Sequence, residues 1–141
     1  GRAVRAAEVL GADFAYMGTR FIASRESMAD PAYKRMVVEA SGADIVCSDA
    51  LTGVKANWLR QSLLAAGYDP DNMPAPGEID VLKAAGDAKR WRDVWSAGQG
   101  VGAIDEVLPI AGIVERLAQE YRLAGGSERV SRVPDGIMEA S

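Results

Sequence analysis

The chain has 141 residues, of which 48% are hydrophobic and 26% charged, and its net charge is −4. This is the composition of a folded domain with a core, and it excludes the highly charged, apolar-poor profile of a disordered chain. The acidic balance leaves no electrostatic footprint for nucleic acid, and no apolar run approaches the roughly 20 residues that span a bilayer.

Arg2 to Leu10 is rich in alanine and puts Val4, Ala7 and Leu10 on one face, which predicts a short helix closed by Gly11. Ala12 to Met17, with Phe14 and Tyr16, reads as a buried strand of the parallel type, apolar on both faces. Helix, glycine, strand is the second half of a βαβ unit. Asp30-Pro31 then marks a helix start, with Asp as cap and Pro at the first helical position. Tyr33, Met36, Val37 and Ala40 recur at helical spacing until Ser41-Gly42. A short strand is expected over Ala43 to Cys47. A further helix runs from Thr52 or Gly53 to about Ala66, with Ala56, Leu59 and Leu63 as its buried stripe and Gly67 as its cap.

Asp69 to Gly77 holds three prolines and predicts a loop, followed by a short helix over Glu78 to Ala85. Trp91 to Gly102 combines two tryptophans with three glycines and has no helical period. Pro109 opens the longest periodic segment, in which Ile110, Ile113, Val114, Leu117 and Tyr121 form a core-facing stripe. Gly125-Gly126 stops that helix, and Ser127 to Ser141 reads as a polar tail.

The chemistry that these elements present centres on Met17-Gly18-Thr19. At the carboxyl end of a parallel strand the backbone N–H groups point out of the sheet. Glycine there lets an anion approach the main chain, and a threonine hydroxyl adds a donor. An ordinary strand-end turn uses the same residues. Arg20 is a candidate phosphate clamp, with an ion pair to Glu26 as its plainer role. Glu26 as an acid–base catalyst is disfavoured because flanking arginines keep it ionised. Cys47 lies in an apolar run with no histidine in the chain to activate it, and reads as a small packed hydrophobe. It has no partner for an internal disulfide, which points to a reducing, cytoplasmic location. Trp91 and Trp95 read as packing anchors. Gly98-Gln99-Gly100-Val101-Gly102 follows no clear strand and opens no helix at dinucleotide-binding distance.

The order of these segments carries a resemblance. LGADFAYMGTRFIASRES, residues 10–27, resembles the FMN-binding end of the nitronate monooxygenase family: its last barrel strand and the loop after it. AYKRMVVEASGADIVCSDALTGVKANWLRQSL is similar to the segment that this family inserts next, and VWSAGQGVGAIDEVLPIAGIVERLAQEY to its closing loop and helix. The resemblance implies an α/β fold, the C-terminal part of a (β/α)8 barrel. That part is helix-rich, with one barrel strand over about residues 12–17, an insert over about 23–90 and a closing helix. Residues 1–124 would be this portion of an FMN-binding domain and 125–141 a flexible tail.

The resemblance also implies the site. Gly18 and Thr19 match the family's pair that holds the FMN phosphate. Ser96, Gly98 and Gln99 match the loop that returns to the barrel mouth, with Gln99 as a third cofactor contact. Gly1 falls where the preceding phosphate loop ends. The family's catalytic histidine and most of its barrel would lie before Gly1, so no catalytic residue and no metal ligand is expected here. The chain lacks an initiator Met, in keeping with a piece of something longer. The implied partners are an alkyl nitronate and oxygen in the complete protein, with no nucleic acid and no membrane, and self-association of the fragment. Two alternatives stand beside this: an FMN-dependent enoyl-acyl carrier protein reductase-like enzyme, and a non-catalytic remnant or association module.

Overall fold

A computed structural model describes residues 1–75 and 94–125. The expected helix over Glu78 to Ala85, Trp91 and the tail beyond Gly125 lie outside the described residues. The elements in chain order are α1 (Arg2–Val9), α2 (Thr19–Ile22), α3 (Pro31–Glu39), β1 (Ile45–Ser48), β2 (Ala56–Leu59), α4 (Arg60–Ala65) and α5 (Ile110–Ala124). Two 3-10 turns, Gly42–Asp44 and Gln99–Ala103, join them. The chain divides into two units: Gly1–Tyr16 with Ala111–Ser141, and Met17–Ile110.

In the Met17–Ile110 unit, α3 begins as its sequence dictates. The Asp30 carboxylate accepts the Ala32 N–H at 2.7 Å and Pro31 fills the first helical position. Val37 faces inward and is fully buried. After α3 the Ser41 N–H and hydroxyl both donate to the Asp44 carboxylate at 2.7 Å, which closes the first 3-10 turn. β1 and β2 then pair antiparallel, with Ile45 opposite Leu59 and Ser48 opposite Ala56.

This hairpin corrects one expectation. The stretch from Thr52 to Ala66 is not one helix: its first half is a turn and a strand, and only Arg60–Ala65 is helical. Gly53 sits at φ 71°, a left-handed conformation that a helix start cannot use. The strand Ile45–Ser48 also needs a ladder partner for its main-chain groups, and Ala56–Leu59 supplies it. That pairing outweighs a local stripe of helical period.

Two apolar clusters hold the unit. Ala23, Val37, Ala40, Leu59, Ala97, Val101 and Ile104 form one, with Tyr33 and Trp95 packed against it. Leu51, Trp58, Leu63 and Val94 form the other. β2 lies at both, with Leu59 in the first and Trp58 in the second. The Trp58 indole N–H also donates to the Ser48 carbonyl at 3.1 Å, so its one polar atom is satisfied.

In the other unit, α1 and α5 meet through polar groups. Tyr121 donates its hydroxyl proton to Glu8, Arg5 donates to both, and the Arg5 guanidinium lies 5.5 Å from the centre of the Tyr121 ring. The hydrogen bonds from Tyr121 and Arg5 hold the Glu8 carboxyl below the usual carboxylate range. Gly1 lies so close to α5 that a Cβ there would overlap the Leu117 carbonyl, Glu120 Cβ and the Tyr121 nitrogen. Gly11 follows α1 at φ 97°, the left-handed closure that its sequence position predicts.

The expected strand over Ala12–Met17 does not form, and Phe14 and Tyr16 are 93% and 99% exposed. The physical reason is pairing: a barrel strand has its N–H and C=O groups satisfied by neighbours on both edges, and none of the described residues pairs with this segment. Val9 and Leu10 are likewise exposed, and of the expected stripe on α5 Ile113 is buried while Ile110 and Val114 are exposed. No helix among the described residues is long and apolar enough to cross a membrane.

Candidate functional site

Gly18 stands before the first turn of α2 with φ −96° and ψ −63°, a conformation open to any residue. It is exposed, and a Cβ built on it meets nothing within 4 Å. Neither backbone strain nor packing in this chain asks for glycine there. The Gly18 carbonyl accepts the Phe21 N–H at 3.0 Å, which bends the chain into α2.

Thr19 follows, and its hydroxyl oxygen accepts the N–H of Gly98 at 2.9 Å. Two segments 79 residues apart thereby meet at the turn. A Cβ on Gly98 would come to 3.4 Å from that oxygen, so the approach is close. Of the sequence-predicted residues, Gly18, Thr19, Gly98 and the adjoining Gln99 share one neighbourhood. Gln99 is exposed and begins the second 3-10 turn. Gly1 belongs to the other unit and acts there as a packing glycine.

The Trp95–Gly98 stretch is fixed from several sides. It runs along β2 as a third strand-like segment, with Ser96 opposite Trp58. Leu59 N–H donates to the Trp95 carbonyl at 2.9 Å, and Ala97 N–H to the Asn57 carbonyl at 3.3 Å. Trp95 N–H donates to the buried Ser62 hydroxyl at 2.6 Å. From α3, Tyr33 stacks its ring on Trp95 at 5.0 Å between centroids and 11° between planes, and its hydroxyl donates to the Ser96 carbonyl. Burial pushes the Tyr33 phenol up. Trp95 is thus a packing anchor, as its sequence context implies.

The loop after α2 is fixed as firmly. The Lys34 ammonium, also from α3, donates to the Ser24 and Ser27 carbonyls at 2.7 Å each and to the Arg25 carbonyl at 3.4 Å. Ser24 is buried and its hydroxyl accepts the Ser27 N–H at 3.1 Å. Ser24 bridges Leu108 in parallel, and Arg25 N–H donates to the Leu108 carbonyl at 2.9 Å. Both Glu26 oxygens accept the Ile110 N–H, at 3.0 and 2.9 Å. Glu26 therefore caps the first turn of α5 instead of pairing with Arg20, and a carboxylate there is favoured by the helix dipole. Arg20 reaches the Glu106 carbonyl at 3.1 Å.

Sequence reasoning missed Tyr33 and Lys34 as site-supporting residues, because both lie on a helix whose period points only to burial. It also placed Cys47 in the core, whereas its side of β1 is exposed. The alternation of faces along β1 exposes Cys47 between the half-buried Val46 and Ser48. Among the described residues no cluster of three or more His, Cys, Asp or Glu side chains lies close enough to hold a metal ion.

Comparison with known proteins relates the chain to one family. The model of the family described as nitronate monooxygenase matches residues 1–120. The nitronate monooxygenase of Paraburkholderia phytofirmans is 31% identical over 132 residues, covering 86% of this chain and 35% of the relative. A probable nitronate monooxygenase of Bacillus subtilis is 26% identical over 130 residues, covering 84% of this chain and 36% of the relative. The chain thus spans a little over a third of the length of these curated relatives. Among solved structures, FabK from Thermotoga maritima is similar with a TM-score of 0.67 and 31% identity, over 87% of this chain and 41% of that one.

Proposed function

Because the chain belongs to the nitronate monooxygenase family, we propose that it is part of an FMN-dependent enzyme that oxidises alkyl nitronates with molecular oxygen. Its own share of that enzyme is one wall of the pocket for the FMN phosphate, within a (β/α)8 barrel of which these residues form the C-terminal part. The observation that carries the reading is the meeting of Gly18-Thr19 with Gly98-Gln99 around an open backbone face.

In this reading Gly18 leaves room for a phosphate oxygen against the main chain. Thr19 donates from its N–H and its hydroxyl, and Gln99 offers its amide from the returning loop. Charge-assisted hydrogen bonds of this kind are worth roughly 1.5–3 kcal/mol each. The flavin supplies the redox chemistry, taking electrons from a carbanion-like substrate and passing them to oxygen. The residues here bind and orient; the chain contains no histidine, so an imidazole base for that reaction belongs to other residues of the complete protein.

The test is flavin retention in the natural full-length protein. Gly18→Val fills the open face and abolishes retention. Thr19→Val keeps the shape, deletes the hydroxyl and weakens binding by about tenfold or more. Both variants keep the far-ultraviolet circular dichroism of the parent. If both hold stoichiometric FMN with unchanged affinity, the turn is an ordinary one and the phosphate reading falls.

The likeness to FabK favours a second reading, an enoyl-acyl carrier protein reductase-like enzyme on the same scaffold. A requirement for a reduced nicotinamide, absent from nitronate oxidation, separates the two in a single turnover assay.

A further inference from the structure

We infer that Thr19 couples phosphate occupancy to the order of the Gly98-Gln99 loop, through one hydroxyl that accepts from the loop and donates to the anion. The inference rests on the FMN-phosphate reading of Gly18-Thr19 and goes beyond it, since it makes Thr19 a positioning residue as well as a contact.

The argument starts from what a hydroxyl can do. It has one proton and two acceptor lone pairs. In Thr19 one lone pair takes the Gly98 N–H at 2.9 Å, and the proton is left to donate elsewhere. The loop up to Ala97 needs no help from Thr19. Leu59, Ser62 and Asn57 hold its main chain, and Tyr33 holds the Trp95 ring and the Ser96 carbonyl. Beyond it, the Gly98 carbonyl accepts the Val101 N–H at 3.1 Å and Val101 is buried, so the Gly98 amide is the point where Thr19 enters. That N–H goes to Thr19, and the exposed Gln99 follows. A Cβ at Gly98 would reach 3.4 Å from the Thr19 oxygen, so the loop is already drawn close.

An anion that takes the Thr19 proton draws electron density onto the hydroxyl oxygen, and the oxygen becomes a better acceptor for Gly98. Phosphate binding therefore tightens the loop. By linkage, a loop held in place strengthens phosphate binding by the same factor. The bare ring of riboflavin, which has no phosphate, cannot pull on that proton.

The experiment is amide hydrogen exchange resolved at Gly98 in the natural full-length protein, with FMN, with riboflavin and with neither. Binding is read separately from quenching of flavin fluorescence. Ala97, whose N–H goes to Asn57, is the internal reference. Expected is slowing of Gly98 exchange by FMN of about fivefold or more, the lower end of coupling between linked sites. Riboflavin leaves it unchanged, as does FMN with Thr19→Val, and Thr19→Ser restores the response. The inference is overturned if FMN binds and Gly98 exchange does not slow, if riboflavin slows it equally, or if Thr19→Val slows as the parent does. If flavin fluorescence shows no FMN bound at saturation, the phosphate reading itself fails and the coupling with it.

Discussion

The two units of this chain satisfy their residues in different ways. Met17–Ile110 has two apolar clusters, a paired hairpin and loops whose carbonyls and amides are accounted for by Lys34, Ser62, Tyr33 and Glu26. In Gly1–Tyr16 with α5, helices α1 and α5 are joined by Arg5, Glu8 and Tyr121, while Leu10, Phe14 and Tyr16 stand in solvent. The contrast separates two kinds of sequence signal. An apolar residue that finds partners nearby in the chain becomes core. One patterned for a barrel strand requires strands on either side, and the same aromatic side chains lie bare without them.

Core truncation is the strongest way to break this comparison. Leu59 is 1% exposed in the first cluster, and Leu59→Ala should lower unfolding free energy by about 2–5 kcal/mol in urea titration. A loss below about 0.5 kcal/mol, the ordinary size of a surface change, would mean that the Met17–Ile110 unit is as loosely held as its neighbour.

Lys34→Met keeps the apolar stem and removes the ammonium from three carbonyls. The expected cost is about 1.5–3 kcal/mol, the range for hydrogen bonds to a charged group. The accompanying change is faster amide exchange at Ser27, whose N–H bonds inside the same loop. Retention of both stability and protection would show that the loop is held by the Leu108 bridge alone.

Tyr33→Phe keeps the stack on Trp95 and deletes the bond to Ser96, costing about 0.5–1.5 kcal/mol at neutral pH. The pH dependence has a definite sign. Burial raises the folded-state phenol above its ordinary value of 10.0, so folding favours the protonated form. That contribution is complete below pH 10.0 and is lost as pH rises through the raised value. Tyrosinate absorbance should show a late-titrating phenol in the parent that is missing from the variant.

The smallest expected effect sharpens the contrast from the other side. Phe14→Ala in this chain should change stability by no more than about 0.5 kcal/mol, because the ring is 93% exposed and has little to lose. A larger loss in thermal unfolding would place Phe14 in a contact that its exposure denies.

Much of this was legible in the sequence, and the reason differs by residue. Asp30-Pro31 and Gly11 act within a few residues of themselves, so their cap and closure follow from local chemistry alone. The Gly18-Thr19 turn and the Gly98-Gln99 loop were marked as candidates through their resemblance to one family, and the structure brings them together. Local reading could not see that Ala56–Leu59 would trade a helical stripe for a ladder, because the decision lies in Ile45–Ser48. Nor could it assign Lys34 or Glu26. Their partners are a backbone curl and an amide 84 residues away, neither of which leaves a mark on composition or spacing. Phe14 and Tyr16 show the opposite failure: the pattern for a buried strand is plain, but what would bury it is not among the described residues.

Lys34 has a consequence for the solvent in which the protein works. Its ammonium sits among the oxygens of Ser24, Arg25 and Ser27 as a potassium ion sits inside an ionophore. The difference is that this cation is tethered to α3 and cannot be exchanged. The curl before α3 thus carries its own counter-cation, covalently supplied. Its shape draws on a cation that comes with the chain, and the Glu26 carboxylate of the same curl accepts the Ile110 N–H at 3.0 and 2.9 Å.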